Sequence, residues 1–155
     1  MAKILPYSCE LKQHFIDLNV EWLNTYFYVE PYDNDLLNNC KEVIIDKGGY
    51  IFFYENNNEI LGTFALIKIT DTIFELGKMA VSPNSRGKGI GQKLLQFCID
   101  FARSKEWKKI ILYSNTKLEN SIYIYRKFGF KEVSIETNNP YSRGNIKMEL
   151  RIHVR

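Results

Sequence analysis

The chain has 155 residues, 45% of them hydrophobic and 25% charged, with a formal net charge of +3. That length fits one domain over residues 1–155, and the apolar fraction is enough for a core, which argues against disorder. The charge is too mild to indicate nucleic-acid binding; no apolar run approaches the roughly 18 residues of a membrane span, and 61–67, broken by Gly62 and Thr63, falls far short.

Residues 3–7 read as a short strand, and Ser8 is placed to cap a following helix with Glu10 in its first turn. Leu11, Phe15, Leu18 and Trp22 recur at helical spacing and predict one apolar stripe. Residues 26–34 form an aromatic and acidic loop broken at Pro31, and a second helix is expected over 35–46, ending at Gly48 and Gly49. The period then changes. Strands are expected at 50–55, 60–69 and 72–81, with turns at 56–58 and Asp71, giving an antiparallel meander. Residues 82–91 are a glycine-rich loop, and Ile90, Leu94, Phe97 and Phe101 mark the next helix. A strand at 109–114, a helix at 119–127, a strand at 130–137, a turn at 138–140 and a last strand at 145–152 complete the chain. The order βααβββαβαβ implies an α/β fold with a mixed sheet and helices packed on it.

Three widely spaced cysteines (Cys9, Cys40, Cys98) and two distant histidines (His14, His153) offer neither a disulfide framework nor a metal site. The N-terminus lacks a secretory apolar segment, so a cytoplasmic location is the expectation. Cys98 reads as a small core residue, His14 as helix surface, and Phe52, Phe53, Phe64 and Phe74 as sheet packing.

The chemistry concentrates in Arg86-Gly87-Lys88-Gly89-Ile90-Gly91, between a strand and a helix. Glycines allow close backbone approach, and free amides at a helix N-terminus suit phosphate oxygens. Lys78, Arg86, Lys88 and Lys93, with no acid over 76–99, give a local field favouring a polyphosphate. A Walker A loop is excluded because no Lys-Ser or Lys-Thr follows a glycine, and the dinucleotide fingerprint fails at Gln92.

Read with Glu75 to Val81 before it, this segment resembles motif A of the GCN5-related N-acetyltransferases (GNAT), whose [QR]-x-x-G-x-[GA] pattern matches at Arg86, Gly89 and Gly91. Ser114-Asn115-Thr116-Lys117-Leu118, Ser121-Ile122 and Tyr125 through Phe130 resemble motif B with its ending Y-x-x-x-G-F. The order of both blocks and of the elements agrees with that family over roughly residues 3–151, implying a GNAT-like, mostly antiparallel sheet flanked by helices.

The resemblance implies acetyl-coenzyme A as co-substrate and an amine as acceptor. It places the backbone of Met79, Ala80 and Val81 along the pantetheine arm, with the Val81 amide on the thioester carbonyl. The amides of residues 86–91, hence Arg86, Gly87, Lys88, Gly89, Ile90 and Gly91, are placed on the pyrophosphate. Tyr125 falls where the family often has a tyrosine facing the departing sulfur. Many members carry an asparagine at the position of Leu118, which leaves Asn115 and Asn120 as candidate replacements. A lysine-like amine has pKa ~10.4 and must lose a proton before attack, so a base is required. Glu75 is the leading candidate, since alternation puts residues 75, 77, 79 and 81 on one face, unless a β-bulge intervenes. Glu30 is the second, in the stretch where the family has its acceptor wall, with Trp22, Tyr26 and Tyr28 as further acceptor residues. Residues 10–46 hold eight acids and two bases, a balance favouring a cationic acceptor.

The reading is therefore an N-acetyltransferase acting on a small or amino-acid-like primary amine by direct transfer in a ternary complex. A protein or peptide N-acetyltransferase and a silent acyl-coenzyme A binding module are the rivals. Monomer and homodimer are both open, the latter through an exposed C-terminal edge strand.

Overall fold

The computed structural model describes residues 1–139 and 141–152; Pro140 of the expected turn and His153 lie outside the described residues. The elements are β1 (Ala2–Pro6), α1 (Lys12–Tyr26), α2 (Pro31–Asn38), β2 (Tyr50–Asn56), β3 (Glu59–Lys68), β4 (Ile73–Val81), α3 (Ile90–Ser104), β5 (Lys109–Ser114), α4 (Glu119–Lys127), β6 (Lys131–Val133) and β7 (Ile146–Arg151). This is the expected order carried through β6, with β7 completing it. One sheet runs β1-β2-β3-β4-β5-β7-β6, antiparallel throughout except for the parallel pair β4–β5.

Both faces of the sheet are covered, so its central strands read as continuous apolar runs rather than strict alternation. Phe52 and Tyr54 of β2 and Phe64 and Leu66 of β3 pack against Leu94, Leu95 and Cys98 of α3. Ile51, Phe53 and Ala65, between them, pack against Phe15 of α1 and Leu36 and Leu37 of α2. Each fully buried side chain of this kind contributes about 1.5–3 kcal/mol. Gly49 is required by closeness alone, because a Cβ there would stand 2.5 Å from the Leu66 carbonyl oxygen.

Several expectations are corrected. Ser8 precedes a 3₁₀ turn, Cys9–Leu11, and its hydroxyl caps nothing. The buried line of α1 is Phe15, Asn19 and Leu23, whereas Leu18 and Trp22 are half-buried. Asn19 is tolerated there because its Nδ2 donates to the Phe15 carbonyl at 3.0 Å. Pro31 starts a helix instead of breaking one: its fixed φ and missing N–H suit a first helical position. The expected second helix therefore begins earlier and ends at Asn38, followed by a π-helical turn, Lys41–Ile45. The strand expected at 130–137 shrinks to three residues, and β7 lies between β5 and β6, so the C-terminal strand is no sheet edge.

The most consequential correction lies in β4. Ala65 pairs with Gly77 and Thr63 with Ala80, so Lys78 and Met79 together face the single residue Phe64, and Lys78 adopts φ +53°. This is a β-bulge with its first residue left-handed, a place usually held by glycine. The face reverses there. Phe74 and Leu76 join the α3-side core before the bulge, and Met79 and Val81 after it. The alternation that grouped Glu75 with Met79 and Val81 therefore fails.

Lys78 is carried to the other face, where its Nζ meets Asp33 Oδ1 at 2.5 Å with both side chains nearly inaccessible. Asp33 also accepts from the Glu30 amide at 2.9 Å, half of a capping box for α2, and from Arg143 at 2.7 and 3.0 Å. Four donors thus converge on one buried carboxylate. Burial alone would raise the Asp33 pKa, but Arg143 and Lys78 hold it below its ordinary value. Glu30 is likewise lowered: burial opposes ionisation, and the Ser142 hydroxyl and amide and the Arg143 guanidinium outweigh it.

Asp33→Asn is expected to destabilise the fold by about 3–5 kcal/mol, because it strands the buried Lys78 ammonium and weakens the hold on Arg143. Urea unfolding at neutral pH measures this, and a loss below about 1 kcal/mol would contradict the role given to Asp33. Because the folded-state pKa values of Asp33 and Glu30 are depressed, their stabilisation is complete above the ordinary carboxylate range and disappears as pH falls through and below it. The variant should accordingly lose less stability than wild type on acidification.

Candidate active site

The parallel pairing of β4 with β5 ends at Glu75 and Ile111, after which the strands part. The Ser82 amide donates to the Leu61 carbonyl at 2.8 Å, so alternation turns the N–H and C=O of Val81 away from β3 and into this gap. A cavity of about 560 Å³ occupies the opening and runs past Gly77, Val81, Leu112 and Tyr113. The glycine corner and α4 line one end, through Gly87, Gly89, Ile90, Gly91, Asn120 and Tyr125. At the other end stand Trp22, Tyr26 and Phe27 with Glu75, Lys78, Tyr141 and Arg143.

At the first end, Gly87 and Gly89 have φ of +78° and +81°, and Gly89 is the N-cap of α3. The first intrahelical bond runs from the Lys93 amide to the Gly89 carbonyl, so the Ile90, Gly91 and Gln92 amides have no helical partner. A Cβ at Gly87, Gly89 or Gly91 would meet nothing within 4 Å, so the main chain is open to a ligand. These residues fit a diphosphate. The charged side chains contribute less than the sequence implied. Arg86 is turned across the cleft onto Glu21 of α1 and over the Tyr26 ring, Lys78 is held by Asp33, and Lys88 is exposed and lines no part of the cavity. The main-chain amides and the helix end remain to hold an anion.

Tyr125 packs against the α3-side core with its ring 5.8 Å from that of Phe130. Burial pushes its phenol up to about 12, so at neutral pH it retains a proton to donate. Of the two candidate asparagines, Asn115 has both ends of its amide engaged, donating to the Arg143 carbonyl at 2.6 Å and accepting from the Lys117 amide at 2.9 Å. Asn120 is exposed at the start of α4 and lines the cavity.

At the second end, Glu75 is buried at 4% exposure, and its Oε2 accepts from the Tyr141 hydroxyl at 3.0 Å. Burial raises its pKa, the Tyr141 bond and the Lys78 charge acting against that rise. Glu30 is not among the lining residues; its carboxylate is spent on the Ser142 hydroxyl at 2.5 Å and Arg143 at 2.7 Å. Tyr28 also lies outside the lining, its hydroxyl 3.2 Å from Ser142 Oγ. Four of the eight acids of residues 10–46 are spent on cations, Glu30 on Arg143, Glu21 on Arg86, Asp33 on Lys78 and Asp46 on Lys41, and none of the eight lines the cavity. They do not give the cavity an acidic wall.

Sequence reasoning missed Tyr141, Arg143 and the role of Lys78. Arg143 meets Glu30 and Asp33 from over a hundred residues away, and no local pattern announces such a meeting. Among the described residues no cluster of three or more His, Cys, Asp or Glu is suited to a metal, and no helix is long and apolar enough to cross a membrane.

A sequence model described as "Acetyltransferase (GNAT) family" matches residues 15–130. N-acetyltransferase 8 of Rattus norvegicus is 23% identical over 103 residues, covering 63% of this chain and 46% of that protein. The chain thus spans about half the length of the curated relatives it matches. Among solved structures, a GNAT-family acetyltransferase from Staphylococcus aureus Mu50 superposes with a TM-score of 0.86 at 22% identity, covering 99% of this chain and 100% of that one. The Vibrio cholerae spermidine N-acetyltransferase in complex with CoA and spermine gives 0.76 at 19% identity, covering 97% of this chain and 95% of that one. At these identities the superpositions speak for the fold. The sequence match, the parted strands and the open glycine corner agree, and the chain belongs to the GNAT acetyltransferase family.

Proposed function

We propose that the chain is an N-acetyltransferase that moves the acetyl group of acetyl-coenzyme A to the primary amine of a small, amino-acid-like acceptor by direct transfer in a ternary complex. The observation that carries this reading is the single cavity joining an open helix N-terminus to a buried carboxylate of raised pKa.

The co-substrate supplies an acyl group activated on sulfur. The amides of Gly87, Gly89, Ile90 and Gly91 would hold its diphosphate, and the main chain of Met79 to Val81 its pantetheine arm. The Val81 amide is fixed before any ligand arrives, so it stabilises developing negative charge without reorganising. Glu75 takes the proton of the acceptor ammonium on its carboxylate, directly or through a water, and leaves the amine nucleophilic. Its raised pKa narrows the gap to the amine it must deprotonate. Tyr125 Oη donates a hydrogen bond to the departing sulfur as negative charge develops there. Since a thiol has pKa ~8.5, that donation helps without being indispensable. Holding both reactants in one cavity supplies up to about 7–11 kcal/mol more.

Replacing Glu75 by Gln is expected to lower kcat/KM about 10²- to 10³-fold while calorimetry finds unchanged binding of acetyl-coenzyme A. Full activity in this variant would refute Glu75 as base, and binding without turnover in wild type would favour the silent module. Tyr141→Phe removes a bond to the ionised carboxylate, so the Glu75 pKa rises further and the acid limb of the pH–rate profile moves to higher pH. A limb that stays in place or moves lower would contradict this assignment. Gly89→Val forces a β-branched residue to φ +81° and fills the cradle, so affinity for acetyl-coenzyme A should fall at least about tenfold with secondary structure retained. Unaltered affinity by calorimetry would remove the corner from the binding site.

A further inference from the structure

We propose that the acceptor is an amine that also bears a carboxylate, an α-amino acid or a close analogue, and that Arg143 binds this carboxylate and sets specificity. The inference rests on the acyltransferase reading above and names the substrate class of the same site.

A guanidinium has five N–H donors arranged as two forks and one side position. Arg143 Nη1 donates to Glu30 Oε2 and Asp33 Oδ2, both at 2.7 Å, and Nη2 donates to Asp33 Oδ1 at 3.0 Å. The end-on fork is therefore closed by Asp33. The Nε–H and the second Nη2–H remain, and among the described residues neither has an acceptor. These two donors lie parallel on one edge, with the spacing of a carboxylate.

That edge belongs to a residue that lines the cavity and is fixed on every side. Its carbonyl is held by Asn115 at 2.6 Å, its guanidinium lies 5.0 Å from the centroid of the Tyr141 ring, and the neighbouring Ser142 is tied to Glu30. An unused fork on an immobilised arginine needs little ordering before it binds. Tyr141, two positions earlier, donates to Glu75. One short loop thus holds the carboxylate that receives an amine's proton and presents a fork for a second acidic group on the same molecule.

The charge balance argues against the opposite class. Glu75 is the one carboxylate among the lining residues, beside Lys78, Arg86, Lys127 and Arg143. Glu30 and Asp33 already neutralise Arg143 and Lys78. A second ammonium, as in a polyamine, would find no free acid among the lining residues once Glu75 is engaged.

The test measures thiol release by the wild-type chain at saturating acetyl-coenzyme A with the standard α-amino acids, their decarboxylated amines and spermidine. The expected result is a kcat/KM about 10- to 100-fold higher for the best amino acid than for its decarboxylated counterpart, with spermidine poorest. Arg143→Lys keeps the charge and loses the fork. It should raise KM for the amino acid about tenfold or more, a larger change than in kcat, and bring the kcat/KM ratio of amino acid to plain amine down toward one. The wild-type comparison stands even where that variant folds poorly. Equal or better turnover of decarboxylated amines or spermidine overturns this inference and leaves the acyltransferase reading intact. A preference that survives in Arg143→Lys overturns the role of Arg143. Absence of thiol release with every amine overturns both readings.

Discussion

One residue too many in β4 governs the rest of the molecule. Opposite Phe64 the strand places two residues, and the backbone absorbs the excess by putting Lys78 in a left-handed conformation that a lysine adopts reluctantly. The extra residue exchanges the faces of the strand beyond Gly77. With the parting of β4 and β5 after Glu75, it leaves the main chain near Val81 unpaired and facing a cavity. It also sends the Lys78 ammonium into the opposite layer. A buried lone cation there would be ruinous, so the bulge and Asp33 are a single device: one creates the gap, the other makes its by-product tolerable.

Asp33 does more than neutralise. It accepts from the first turn of α2, from β4 and from the loop before β7, so three segments remote in sequence are held by one carboxylate. A hydrophobic contact would hold them nearly as well but without direction. Hydrogen-bond geometry fixes the roll of the Arg143 guanidinium and, through Ser142 and Glu30, the path of the loop on which Tyr141 sits. The position of a hydroxyl against Glu75 therefore depends on an ion pair on another residue. Rigid support of this sort is what a functional side chain needs, because small displacements of reacting groups weaken catalysis steeply.

What was legible in the sequence was local. The helix at 119–127 matches α4 residue for residue, α3 begins at Ile90 as its glycine-rich approach implied, and the meander of β2, β3 and β4 follows from aromatic runs separated by turn residues. The glycine corner was legible because backbone freedom and amide exposure are written in residue type. The failures share one cause. Period-two alternation carried Glu75 to the face of Met79, and nothing in the string Glu75-Leu76-Gly77-Lys78-Met79 reports an extra residue relative to a strand ten or more positions away. The acidic excess at 10–46 was real as composition, but charge acts through position: four of its eight members were already paired with Arg86, Lys78, Arg143 and Lys41, and none of the eight lines the cavity. Glu30 looked like a free acid because its partner lies on a loop that approaches only after the sheet has closed.

The two groups proposed to handle protons are tuned by one cause acting in one direction. Burial raises the pKa of Glu75 and of Tyr125 alike, since in both the charged form is the anion that a low-dielectric site disfavours. For a carboxylate that change means a stronger base, closer to the amine whose proton it must receive. For a phenol it means a proton retained at neutral pH and available as a hydrogen bond to a sulfur on which negative charge develops beside it in the same cavity. Opposite roles therefore need no opposite environments. They follow from the unequal starting points of a carboxylic acid and a phenol, placed on β4 and α4 at the two sides of a gap that the split between β4 and β5 opens. The hydrogen bond from Tyr141 then separates the pair further: it steadies the ionised form of Glu75, while Tyr125 packs among apolar neighbours of the α3-side core.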